Sequence, residues 1–281
     1  RLFARWRLAR PIGQDLEPLS AAAWASDTDE AAGARSARRA VPMSKKGLAG
    51  VGWFPDVMND LVDLGCRNIS VNILLPSILH LAPGVEGATP YTFNGREYAV
   101  REQAMEPLDQ VLRFAREHGI VVSAVILIPR RLADPLEQRV WCHPDACEPG
   151  VYALANVTNA EGVDAYAAAL DLLARRYGSA GTGAGRITNW VIHSEVDEGW
   201  VWANAGRKSL AAYVDLYYSA LRIAHCALRR HDPTARVFIS LTHHWTTAKP
   251  QSYKPREMLE LLRDCCRREG DRSEEHTSEL Q

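Results

Sequence analysis

The segment Asn189-Trp-Val-Ile-His-Ser-Glu-Val-Asp-Glu-Gly-Trp200 gathers the side chains of this sequence best suited to chemistry. An apolar run with the pattern of a buried strand leads directly into Glu195, Asp197 and Glu198. Three carboxylates at one strand mouth cost free energy unless they face water, are paired, or are used. Alternate residues of an extended chain share a face, so Glu195 and Asp197 are expected to point the same way. A carboxyl that donates a proton near neutral pH needs a partly apolar setting. Trp190, Trp200 and Trp202 stand close enough in sequence to supply one. The other reading is a solvated loop start in which the acids pair with Arg207 or Lys208. The pattern alone leaves both readings open.

Other residues could join this chemistry. His243 and His244 follow a second strand candidate, Val237–Leu241. Neighbours on an extended chain face opposite sides, so at most one histidine is expected to point inward. That one would touch a substrate, tune Glu195 or make a structural hydrogen bond. A metal centre would join it to His193, Glu195 or Asp197, but no HExxH-type spacing supports one. Trp200, Trp202 and Trp245 offer flat apolar platforms on which the CH-rich faces of sugars stack, with ordinary core packing as the alternative. Asn72 ends an earlier strand candidate and is the best polar group there; a turn or cap role is the alternative. Cys142-His143-x-x-x-Cys147 holds three soft ligands but neither a fourth nor a second paired motif, so no metal is expected. A disulfide between Cys142 and Cys147 is the other option if the protein is exported.

These residues need a scaffold, and the chain patterns one. Its 281 residues are 47% hydrophobic and 24% charged, which is ordinary globular composition. The longest largely apolar run, Ile120–Ile128, falls well short of the roughly 18 residues that span a bilayer. A net charge of −1 gives no reason to expect a nucleic-acid partner. No cofactor is expected. Strand and helix patterns alternate five times between Lys46 and Cys266. The strand candidates are Lys46–Val51, Asn68–Leu75, Ile120–Ile128, Ile187–His193 and Arg236–Leu241. The helices are Pro55–Leu64, Glu102–His118, Asn159–Tyr177, Ser209–Arg230 and Pro255–Arg268. Tyr91–Tyr98 alternates around Asn94-Gly95, a strong hairpin signal. Asp134–Val157 reads as a long irregular stretch, and such loops are often functional.

Alternating units predict a parallel sheet. A doubly wound sheet would carry a phosphate-binding glycine loop after its first strand, and Lys46-Gly-Leu-Ala-Gly50 lacks that fingerprint. A (β/α)8 barrel gathers polar chemistry at its strand ends. Asn72, Pro129-Arg-Arg131, His193–Asp197 and His243–Trp245 fit that rule. The expected fold is therefore an α/β (β/α)8 TIM barrel, truncated after about five βα units. The expected parts are an N-terminal prelude at 1–45, a partial barrel at 46–271, and a tail at 272–281. Arg272-Ser-Glu-Glu-His-Thr-Ser-Glu-Leu-Gln281 matches the in-frame translation of a common sequencing-library adapter, so the native chain is expected to continue past about Asp271.

Trp190–Glu195 is similar to the fourth-strand motif of clan A glycoside hydrolases, retaining TIM-barrel enzymes in which an Asn-Glu pair ends strand four. The wider pattern resembles one bacterial family of glycosidase-like barrels known mainly as a domain of unknown function. Lys45-Lys-Gly-Leu48, Asn68–Leu74, Phe93-Asn-Gly95, Asn189–Gly206 and Val237–Trp245 carry that resemblance, which covers about residues 42–268. It implies Glu195 as general acid/base. A carbohydrate substrate is expected to be held by Asn72, His193, Ser194, Asp197, Trp200, Trp202, His243, His244 and Trp245. The resemblance also implies a nucleophilic Glu at the end of strand seven. Ser194 departs from the clan, which has Asn before the acid/base to hydrogen-bond the sugar 2-hydroxyl. That departure keeps alive a carbohydrate-binding barrel without catalysis. A metal-dependent hydrolase using His243 or His244 is the further alternative. The residues carry no signal for oligomeric state or compartment.

Overall fold

The computed structural model describes residues 3, 5–20, 22–24, 42–179, 183–247 and 249–268. The expected adapter tail at 272–281, residues 25–41 and the tip of the glycine-rich turn lie outside the described residues. Four short strands open the chain: β1 (Arg5–Trp6), β2 (Ala9–Ile12), β3 (Asp15–Pro18) and β4 (Ala23–Trp24). They form two antiparallel pairs, β1 with β4 and β2 with β3. Then follow β5 (Gly47–Leu48), α1 (Pro55–Asp63), β6 (Asn68–Leu74), the single turn α2 (Leu75–Ile78), β7 (Leu79–His80), β8 (Thr89–Phe93), β9 (Arg96–Val100) and α3 (Glu102–Glu117). The second half runs β10 (Val121–Leu127), α4 (Pro135–Trp141), α5 (Ala160–Tyr177), β11 (Asn189–Ile192), α6 (Leu210–Arg229), β12 (Arg236–Phe238) and α7 (Pro255–Arg268).

Local chemistry explains the boundaries. Asn159 caps α5 by accepting from Gly162 N, and Ser209 caps α6 by accepting from Ala212 N. Asn94 and Gly95 both take positive φ, 49° and 78°, the left-handed pair that a tight hairpin turn between β8 and β9 requires. The expected irregular stretch at 134–157 contains α4, which periodicity misses because two turns are too short to show it. Its start is nonetheless written in Asp134-Pro135. The Asp134 carboxylate accepts from Leu136 N at 2.7 Å, and proline suits the first helical position.

One sheet organises the molecule. Its order is β12-β11-β10-β6-β5, and every pairing is parallel. Spatial order thus follows chain order. A doubly wound sheet reverses at a switch point and this one does not. The burial pattern agrees. Ile69, Val71, Ile73, Val122, Ala124, Ile126, Trp190, Ile192 and Val237 form a buried face, and α3 and α6 lie against the sheet. The opposite residues of the same strands, Ser70, Asn72, Ser123, Val125, Asn189, Val191 and Phe238, line an open trough. Helices therefore pack on one face, the winding of a (β/α) barrel. The five strands make an open sheet and not a closed ring: β5 and β12 stand at its two ends. The continuous apolar run Ile120–Ile128 suggests a strand buried on both faces, but Val121, Ser123 and Val125 are only half-buried, and Ser123 and Val125 line the trough.

The remaining strands brace this frame. The β7-β9-β8 sheet is tied to α5 by the Tyr91 hydroxyl, which donates to Asp171 Oδ2 at 2.6 Å. Arg230 and His231 reach the other oxygen of that carboxylate, each at 3.0 Å. At the N-terminal end, Arg5 pairs with Asp215 of α6, and the Trp24 ring lies near both the Arg5 and Arg222 guanidinium groups.

Candidate active site at the strand ends

The trough encloses about 940 Å³ along the concave face. Its lower layer is set by register. Ser123 stands opposite Ser70 on one side and Asn189 on the other. The Asn189 amide donates to Ser123 Oγ at 3.1 Å. Above it come Asn72, Val125, Val191 and Phe238, again direct neighbours across the strands. The rim is formed by Leu127, Tyr152, Ser194, Glu195, Trp202, Ser240 and Leu241.

Glu195 reaches this rim through a sharp change of backbone. His193 has φ 59° and Glu195 has φ 41°, both in the left-handed region. Each such non-glycine residue costs on the order of 1–3 kcal/mol, and such strain concentrates at functional sites. The cost is offset by hydrogen bonds on both sides. His193 N donates to Ile126 O at 3.0 Å, Glu195 N to Ser240 Oγ at 3.3 Å, and Val196 N to Ser240 O at 3.0 Å. The turn ends the two-residue alternation, so Glu195 and Asp197 do not share a face.

Asp197 is accordingly 1% exposed and lies off the trough. Its carboxylate accepts from Thr242 N at 2.8 Å and from the Thr242 hydroxyl. His193 is likewise fully buried, against the expectation of substrate contact. Its Nε2 accepts from Ala155 N at 3.5 Å, and burial pushes its pKa down to about 4, which keeps the ring neutral. Left-handed backbone at His193 explains the inversion: it turns the side chain toward α6, where its ring lies near that of Tyr217.

The tryptophans divide. Trp202 lines the trough, with its ring centroid 6.1 Å from that of Tyr152. Trp200 instead packs on Tyr253 at 4.9 Å, and Trp190 is fully buried on the helix-covered face. Neither lines the trough, so neither gives Glu195 the apolar surroundings expected of it; Leu127, Tyr152, Trp202 and Leu241 are apolar groups that line the trough along with it. Trp245 is 50% exposed and, like His243 and His244, is not among the described residues lining the trough. The two histidine rings lie 4.0 Å apart and thus do not take opposite sides. β12 ends at Phe238, before them, so the extended geometry behind that expectation is absent. Glu198 pairs with Lys249 at 3.1 Å and Lys208 with Asp145 at 2.7 Å, so the acids find other partners than the expected Arg207 and Lys208. Asn72, Ser194, Glu195 and Trp202 are the expected residues that come together.

Tyr152, Ser240, Ser70, Ser123 and Asn189 were not among the expected site residues. The polar phase of Asn68-Ile-Ser-Val-Asn72, in strict alternation, is the signal that would have found the concave face. Tyr152 had no such signal. It is delivered by the buried Asn204, whose amide donates to Trp200 O and Cys147 O and whose Oδ1 accepts from Cys147 N and Gly206 N. Asn204 N in turn donates to Tyr152 O at 3.0 Å. Among the described residues, no group of three or more His, Cys, Asp or Glu side chains could hold a metal ion. Cys142 and Cys147 are free thiols, one buried and one exposed. No helix among the described residues is long and apolar enough to cross a membrane.

A parallel α/β sheet wound in chain order, with a carboxylate and aromatic rings at its strand ends, defines a protein of barrel-type winding with a strand-end cleft. The chain belongs to the family of unknown function DUF5722, whose profile matches residues 38–273. No curated protein matches the chain. Glycoside hydrolases are among the solved structures it resembles. GH5_18 from Streptomyces cattleya in complex with GlcNAc matches at 15% identity and TM-score 0.46, over 75% of this chain and 48% of its own. A hyperthermophilic beta-glucosidase mutant matches at 13% identity and TM-score 0.45, over 75% and 51%. The beta-glucosidase from Thermotoga maritima in complex with deoxynojirimycin matches at 15% identity and TM-score 0.43, over 75% and 41%. The chain thus spans about half the length of these structures, or less.

Proposed function

We propose that this chain is part of a glycosidase-like (β/α)8 barrel that hydrolyses glycosidic bonds in a polysaccharide or glycoside with retention, and that Glu195 is its general acid/base. The observation that carries the reading is Glu195 itself: a strained, left-handed residue directly after a central parallel strand, lining a trough beside two aromatic rings. In the first step the Glu195 carboxyl donates its proton to the departing glycosidic oxygen. In the second, the carboxylate takes a proton from the attacking water. Tyr152 and Trp202 offer flat apolar faces to a sugar, and Asn72 and Ser194 offer hydrogen bonds to its hydroxyls. His193 and Asp197 are buried and Trp200 packs on Tyr253, so these three act around this group and not on the sugar.

Retention also needs a nucleophilic carboxylate roughly 5–5.5 Å from the acid/base. Among the described residues lining the trough, Glu195 is the sole carboxylate. On this reading the nucleophile comes from a later strand of a longer protein, whose ring closes over the trough. The same observation favours a second reading, a carbohydrate-binding barrel without catalysis, to which Ser194 in place of Asn also points.

The test is Glu195→Gln in the full gene product, assayed on a panel of 4-nitrophenyl glycosides and for binding of the same sugars. Loss of a positioned general acid/base should cost about 10²–10⁴-fold in turnover, with binding kept within about threefold. Binding without turnover in the wild type would favour the second reading. Neither binding nor turnover across the panel would remove both.

A further inference from the structure

Between β12 and α7 the chain runs as a loop that carries His243, His244 and the exposed Trp245. Both ends of this loop are attached to one residue. At its start, Thr242 donates its amide, at 2.8 Å, and its hydroxyl to the Asp197 carboxylate. At its end, the Tyr253 amide donates to the Asp197 backbone carbonyl at 2.8 Å. Asp197 is 1% exposed, so these bonds are shielded from water. Two residues earlier lies Glu195, whose amide is held by Ser240 of the same incoming segment. The middle of the loop is tethered separately by Lys249 to Glu198. Tyr253 is braced further by its ring contacts with Trp200 and Tyr213 and by its hydroxyl, which donates to Lys208 O.

We infer that Asp197 is a positioning residue: it clasps both ends of the 242–253 loop, and so holds the ends of β11 and β12 in one arrangement beneath Glu195. The free-energy logic is that of a buried acceptor with two local donors, in which truncation leaves those donors unsatisfied. Asn keeps an acceptor oxygen at the same reach, and the Thr242 hydroxyl can rotate to accept from its amide. The catalytic consequence rests on the reading of Glu195 as general acid; the clasp itself does not.

The experiment compares Asp197→Ala and Asp197→Asn in the 281-residue chain by chymotrypsin cleavage after Trp245 and by amide hydrogen exchange at Thr242 and Tyr253. The alanine variant should be cut at least tenfold faster, with the Thr242 amide deprotected while the Tyr253 amide, bonded to the residue-197 backbone carbonyl, keeps its protection, and the asparagine variant should return to within about threefold of wild type. Wild-type rates in the alanine variant, or equal loss in both variants, would overturn the clasp. Should alanine unfold the chain, Thr242→Val and Thr242→Ser replace the pair: valine speeds cleavage severalfold and serine restores it, and equal rates overturn the inference. In the full gene product, a mispositioned acid should slow glycosides with poor leaving groups at least tenfold more than activated 2,4-dinitrophenyl glycosides. An equal loss on both would remove the positioning of Glu195, whereas no wild-type turnover would count against the glycosidase reading alone.

Discussion

The backbone amide of Glu195 donates to the Ser240 hydroxyl across 3.3 Å, joining the ends of β11 and β12 directly beneath the candidate acid. This bond helps hold Glu195 at φ 41°, where a residue with a Cβ is strained and Asn is tolerated better than most. Glu195→Asn is therefore expected to be more stable than Glu195→Ala by about 0.5–1 kcal/mol, read from urea midpoints. Equal midpoints would mean that the turn relaxes once the carboxylate is gone.

Acidification should weaken the fold through two histidines. His143 and His193 are both buried, and burial pushes each pKa from 6.5 down to about 4, with Lys208 adding to the effect on His143. Between these values the unfolded chain binds protons that the folded chain refuses. Stability is thus full above about pH 6.5, falls as the pH drops toward 4, and levels off below that for these two groups. Each contributes on the order of 3 kcal/mol across the window. The check is the urea midpoint against pH in wild type, His143→Asn and His193→Asn; each variant should flatten the slope by about one proton. An unchanged slope in both would remove this account.

The two cysteines of the 142–147 segment should differ sharply in reactivity. Burial pushes the Cys142 thiol up to about 12, against smaller opposing effects of Gln138 and Arg130, while Cys147 is exposed. The thiolate is the reacting species. Under native conditions a thiol reagent at pH 8 is expected to modify Cys147 and leave Cys142 untouched until the chain unfolds. Mass mapping of labelled peptides decides it, and rapid labelling of Cys142 in the folded chain would contradict the burial.

The 281-residue chain by itself is expected to hydrolyse no 4-nitrophenyl glycoside, because among the described residues its trough offers one carboxylate and retention needs two. Sugar contact should survive, since Trp202 and Tyr152 are in place. Trp202→Ala is expected to weaken oligosaccharide binding by roughly tenfold, about 1.4 kcal/mol, as measured by titration calorimetry. Turnover by this chain would refute the assignment of the nucleophile to a later strand.

The sequence by itself determined the alternation of strands and helices, the Asn94-Gly95 hairpin, the helix starts at Asn159 and Ser209, and the position of Glu195 after a buried strand. These are local matters: periodicity, capping and turn chemistry act over a few residues. Only the tertiary structure decided which neighbours of Glu195 could join it. His193 and Asp197 stand two residues to either side, and left-handed backbone turned both into the interior. Such backbone is held by its amides donating to Ser240 and Ile126, which no local pattern announces. Tyr152 came to the rim from a loop with no periodicity, through a bond to Asn204. Strand alternation extrapolates only while the chain stays extended, and the chemistry of this protein begins where it stops being so.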